Sequence, residues 1–88
     1  MARSSYTIRI KRSVVREIET IATKKDRRRV VAHIRSLADD PRPPGCQKLS
    51  GAEKHRVRHG RYRIIYSIED DWLLVMVVRV AHRKDAYR

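Results

Sequence analysis

The stretch "EKHRVRHGRYRIIYSI" (residues 53–68) sets Lys54, Arg56, Arg58, Arg61 and Arg63 among Val57, Tyr62, Ile64 and Tyr66. A disordered basic tail has no need of the apolar residues, and an ordinary strand has no need of so much charge. Alternation resolves the conflict, because successive side chains of a strand point to opposite faces. "HRVRH" (55–59) and "RYRIIYSIE" (61–69) read as two strands, with Gly60 at a tight connection between them. In the second, Tyr62, Ile64, Tyr66 and Ile68 share one side; Arg61, Arg63, Ile65, Ser67 and Glu69 share the other. In the first, Val57 must join the apolar side, which leaves Lys54, Arg56 and Arg58 opposite it. The hairpin therefore has one apolar face and one cationic face.

Working outward, "WLLVMVVRV" (72–80) is a nearly continuous apolar run and reads as a central strand covered on both faces. With Trp72, Leu74, Met76, Val78 and Val80 taken as its core set, Leu73, Val75, Val77, Arg79 and Arg83 fall on the cationic face. Three strands then pool Lys54, Arg56, Arg58, Arg63, Arg79 and Arg83 on one surface. Ile65, Leu73, Val75 and Val77 share that surface and form an apolar patch of the kind that marks a protein interface. At the other end of the chain, "SYTIRIK" (5–11) alternates Tyr6, Ile8 and Ile10 against Thr7, Arg9 and Lys11, so it is a strand. Ser13 is placed to cap a helix with stripe Val14, Ile18, Ile21 and Ala22. Asp26 is placed to cap a second, with stripe Val30, Ile34, Leu37 and Ala38. "DDPRPPG" (39–45) ends it, because proline cannot continue a helix and restricts the residue before it. The predicted fold class is α+β, in the order β-α-α-β-β-β: a small antiparallel sheet with a helical hairpin packed on one face.

The chain has 88 residues, so residues 1–88 form one domain with a modest core. Its 22 Lys and Arg against 10 Asp and Glu leave a net charge of +12. Such a balance points to an anionic partner. Sixteen of the 22 cations are Arg, whose planar fork matches phosphate. No apolar run approaches the roughly 20 residues of a membrane-spanning helix. "MARSSYTIRIKR" has no secretory signal pattern and Cys46 has no second cysteine to pair with, so a cytoplasmic location without a membrane is expected. No cofactor and no metal are expected. His55 and His59 share a strand face about 13 Å apart at roughly 3.3 Å per residue, too far to chelate one ion. His33 reads as a helix residue, His82 as core-side by parity, and Cys46 as a loop thiol without a catalytic partner.

"KLSG", "RVRHGRYRIIYSIEDD" and "LVMVVRVAHRKDAYR", following the β-α-α start, resemble the RelE-type toxins of bacterial and archaeal toxin–antitoxin pairs. The likeness covers nearly the whole chain. It implies a four-stranded antiparallel sheet with a helical hairpin, and metal-independent cleavage of mRNA in the ribosomal A site. It also implies an acidic antitoxin that wraps the toxin in a hetero-oligomer. Carried over residue by residue, the catalytic positions fall on Lys54, Arg56, Arg63 and Arg83, with Tyr87 as the aromatic near the end. One departure matters: Arg56 stands where a well-known form has a second lysine, and arginine stays protonated and is a poor base. A ParE-type relative, which poisons DNA gyrase, shares the fold without this catalytic set.

The chemistry expected is attack of the RNA 2′-hydroxyl on its own 3′ phosphate. Arg63 and Arg83 stabilise the phosphorane, Lys54 is the candidate base, and Tyr87 stacks on a base or orients the hydroxyl. Arg56 and Arg58, with Arg61, Arg79 and Lys48, contact flanking phosphate. Ile65, Leu73, Val75 and Val77 are the expected antitoxin-binding patch. A non-catalytic RNA-binding module is the remaining alternative.

Overall fold

The computed structural model describes residues 5–49 and 53–82. Its elements are β1 (Thr7–Ile10), α1 (Arg12–Glu19), α2 (Lys24–Ser36), β2 (Gln47–Lys48), β3 (His55–His59), β4 (Tyr62–Glu69) and β5 (Leu74–His82). A short 3-10 turn, Asp70–Trp72, joins β4 to β5. The two helices pack on one face of a five-stranded sheet in the order β1-β5-β4-β3-β2. The α+β class is as expected, with two refinements. β1 runs parallel to β5, so the sheet is mixed, and the two-residue β2 adds a short edge strand.

Local chemistry sets the element ends, not always where expected. Helix α1 begins one residue before Ser13, with Lys11 at its N-cap and no side-chain cap. For α2 the cap is Thr23, whose hydroxyl accepts from the Asp26 amide at 3.1 Å. Asp26 sits in the first turn, where its charge favours the positive end of the helix. Gly60 takes φ +60°, the left-handed value that a tight β3–β4 connection needs. Leu73 has φ 48° at the β4–β5 turn, a conformation that costs a non-glycine residue about 1–2 kcal/mol.

The core lies between helices and sheet. Val14, Ile21, Val30, Ile34 and Leu37 meet Val57, Ile64, Tyr66, Val75, Val77 and Val80. Val75 and Val77 are fully buried there, whereas Trp72 is 80% exposed. This overturns the parity expected for the last strand, and the register gives the reason. Ile65 pairs with Arg79, but Tyr66 pairs with Val77, so Val78 is an extra residue in β5. A bulge of this kind reverses alternation beyond it. Before Val78 the odd residues face the helices; after it, Val80 does, and Arg79 is returned to the open face.

Two polar devices hold the periphery. The buried Tyr66 hydroxyl donates to the Pro41 carbonyl at 2.7 Å and lies 3.2 Å from Cys46 Sγ. Burial, then the Cys46 thiol, raise the Tyr66 pKa strongly, so it stays a neutral phenol. Beyond Val77, where β1 ends, the Val80 amide donates to Glu17 Oε1 at 3.0 Å.

Candidate nucleic-acid interface

Cross-strand partners lie on the same face of a sheet, so the register lists what each rung carries. One rung on the open face holds Arg58, Arg63 and Ala81. The next holds Gln47, Arg56, Ile65 and Arg79. Neighbouring strands stand about 4.8 Å apart, so Arg56 and Arg79 flank Ile65 at about 10 Å between Cα atoms. Long guanidinium side chains span that gap to a common phosphate. Lys54 continues the alternation of Arg56 and Arg58, about 13 Å along the strand from Arg58. Arg9, opposite Met76, extends the same face across β5.

The expected residues therefore divide. Lys54, Arg56, Arg58, Arg63 and Arg79 share the open face. Arg58, Arg61 and Arg63 also line a hollow of about 100 Å³ with Gly60 and Tyr62 at the hairpin end. Arg63 is only 8% exposed and forms the floor of this region, while Arg58, Arg61 and Arg79 are exposed. Arg56 is oriented by a hydrogen bond from Nη2 to Gln47 Oε1. Lys48 stands apart: it pairs with His55, whose ring stacks on Tyr66 on the helix side, and its ammonium lies 3.8 Å from Glu53. Arg83 and Tyr87 lie outside the described residues. Of the expected antitoxin patch, Ile65 lies on the open face; Leu73 is an exposed residue of the β4–β5 turn, outside β5, and Val75 and Val77 are core, because the odd residues of β5 before the bulge face the helices. Leu74 and Met76 take the open-face places instead, opposite Glu69 and Ser67.

Gln47 and Arg9 were not among the expected site residues. Arg9 had a signal, its place opposite the apolar side of the first strand; Gln47 had none. Acid–base candidates elsewhere are structural. His33 and His59 meet through Nδ1 atoms 3.3 Å apart between α2 and β3, and burial, then the His59 charge, lower the His33 pKa. Burial, then the Arg42 and Lys48 charges, lower that of His55. Tyr6 and Arg42 both bond Asp70, at 2.7 Å and at 3.2 and 2.9 Å, clamping the start of β1 and the proline loop to the β4–β5 turn. Among the described residues no group of three or more His, Cys, Asp and Glu side chains is placed to hold a metal.

The family model for the ParE toxin of the parDE type II toxin–antitoxin system matches residues 7–87. The chain belongs to this toxin family. Its fold is that of the wider RelE/ParE superfamily. The toxin–antitoxin complex RelBE2 from Mycobacterium tuberculosis has a chain that superposes with a TM-score of 0.78 at 25% identity, covering 93% of this chain and 95% of that one. The archaeal RelE–RelB complex from Pyrococcus horikoshii OT3 gives 0.80 at 26% identity, covering 90% and 96%. Toxin RelG of Mycobacterium tuberculosis is 48% identical over 31 residues, or 35% of this chain and 36% of that protein's length. The chain is thus a type II toxin of the RelE/ParE kind.

Proposed function

We propose that this toxin is a ribosome-dependent, metal-independent mRNA endoribonuclease of 1–88 as a single domain, acting in the cytoplasm. One observation carries the reading: cations from β3, β4 and β5 share the open face in adjacent rungs. A gyrase-binding surface has no need of a phosphate cradle of this kind. The likeness of the fold to RelE chains supports the same branch.

In the proposed reaction Lys54 takes the proton of the 2′-hydroxyl. The 2′ oxygen bonds to the adjacent phosphorus, the bond from phosphorus to the 5′ oxygen breaks, and that oxygen leaves with a proton. The products are a 2′,3′-cyclic phosphate and a 5′-hydroxyl. Arg63 and Arg83 stabilise charge on the phosphorane, which preorganised donors do at no cost in reorganisation. Arg56, held by Gln47, and Arg58, Arg61 and Arg79 bind flanking phosphates, and Tyr87 stacks on a base. The apolar part of the open face, Ile65 with Leu74 and Met76, receives part of the acidic antitoxin.

Ribosome-primed translation of a labelled mRNA tests this. Cuts in the A-site codon that survive a chelator and vanish in Lys54→Ala or Arg83→Ala are the expected result. The family model's ParE description favours one other reading, gyrase inhibition. Blocked supercoiling with intact mRNA would replace the nuclease with that.

A further inference from the structure

Spacing along the strand pairs His59 with His55, but the fold brings it His33 instead. The two lie 26 residues apart in the chain, one on α2 and one at the end of β3, and their half-buried rings meet between helix and sheet. Buried neighbours hold both backbones in place. Val30 and Ile34 flank His33 on α2, and the buried Val57, two residues before His59, puts that side chain on the helix side. The Nδ1 atoms are 3.3 Å apart, with the ring planes inclined at 69°. An N–H···O hydrogen bond is most often about 2.9–3.0 Å long. Zinc binds imidazole nitrogen at about 2.0–2.1 Å, so two nitrogens at the tetrahedral angle on one ion stand about 3.3–3.4 Å apart. The two rings therefore already have the spacing of two ligands on one tetrahedral ion.

We propose that His33 and His59 form a two-imidazole site for zinc, or a like divalent transition ion, that clips α2 to the end of β3. Imidazole suits zinc, copper and nickel, whereas magnesium and calcium take oxygen ligands. Without the ion, one ring donates its Nδ1–H to the other. With it, that proton passes through water to Nε2 of the same ring, both Nδ1 lone pairs bond the metal, and no net proton is released. Two protein ligands leave two of the four positions to water, and the net charge of +12 opposes a dication. The ion is therefore held reversibly, and its occupancy follows the metal supply. Register puts His59 opposite Tyr62, one step beyond the rung of Arg58 and Arg63. The clip thus steadies the end of the hairpin that carries those arginines on its other face. The ion lies on the helix side and takes no part in the proposed cleavage, so the inference stands whether or not the nuclease reading does.

Thermal unfolding of the untagged full chain, followed by circular dichroism with zinc chloride alone, tests the clip. An ion that binds only the folded state should raise the melting temperature by about 5–10 °C at ten times its dissociation constant. Magnesium chloride at the same concentration should not. The variants use shape. Asn and Asp both place a polar atom where the imidazole has Nδ1, three bonds from Cα. Asn keeps the capacity to hydrogen-bond but is a poor metal ligand, whereas the Asp carboxylate is a good one. His33→Asn and His59→Asn should therefore each lose the zinc shift, while His33→Asp should keep at least about half of it. His82→Gln should keep all of it. Four results overturn the site: no zinc shift in the parent chain, an equal shift with magnesium, a shift that persists in both Asn variants, or one no larger in His33→Asp than in His33→Asn. Because each shift is measured against the same variant without metal, a variant that is merely less stable does not mimic the loss.

Discussion

The two faces of the sheet are built from the same strands yet obey opposite rules. On the helix side, Val57, Ile64, Tyr66, Val75, Val77 and Val80 are all nearly or fully buried. On the open side the same strands carry Arg56, Arg58, Ile65, Leu74, Met76 and Arg79. The covered face is filled by volume and leaves no place for an unpaired charge. The open face gathers like charges that repel one another and that no packing requirement explains. The difference teaches where stability ends and function begins, and Val78, the bulge residue, marks the point on β5 where the two patterns exchange parity.

The sharpest way to break this contrast uses two substitutions in the same strand. Val77→Asp puts a carboxylate in the core and should abolish cooperative folding, since burying an unpaired charge costs many times the few kcal/mol by which a small domain is stable. Arg79→Asp, two residues on, should leave the urea midpoint within the range of surface changes, about 0.5 kcal/mol, while weakening RNA binding and flattening its salt dependence. If both variants fold alike, the face assignment fails. Next in size, Tyr66→Phe removes the donor to the Pro41 carbonyl and should cost about 1–3 kcal/mol in urea unfolding, with the cationic face unaffected.

A smaller effect concerns pH. His33 and His55 have folded pKa values below their unfolded value of about 6.5. The unfolded chain therefore binds protons first. Stability from these groups is complete above about pH 6.5 and is lost as pH falls below that value. A melting temperature that declines over that window, and declines less in His33→Gln, is expected; a flat profile would show that the pair does not couple α2 to β3. Smallest is Leu73→Gly, which relieves the left-handed backbone of an exposed turn residue and should raise stability by no more than about 1 kcal/mol.

Much of the fold was legible because charge labels the strands. In "HRVRH" and "RYRIIYSIE" the arginines mark one face and the valine, isoleucines and tyrosines the other, and Gly60 marks the turn. Lys54, Arg56, Arg58 and Arg63 were found together for that reason. The last strand has no such labels from Leu74 to Val78, so nothing in its residues betrays the extra one, and Val75 and Val77 were assigned to the wrong side. The parallel pairing of β1 with β5 was equally silent, since alternation gives faces and not strand direction. The Tyr6–Asp70–Arg42 clamp joins residues 28 and 64 positions apart, and no local pattern announces it.

One carboxylate has a consequence for how the molecule keeps to itself. Strand β1 shields β5 only as far as Val77, and beyond that point the Val80 amide donates to Glu17 Oε1. An unguarded rim is a template on which another chain can lay down a strand. By occupying the Val80 amide, Glu17 withdraws the donor that such an intruder would need first and sets a negative charge in its path. Within a molecule this basic, one acidic side chain thus occupies a donor on which an added strand would otherwise pair.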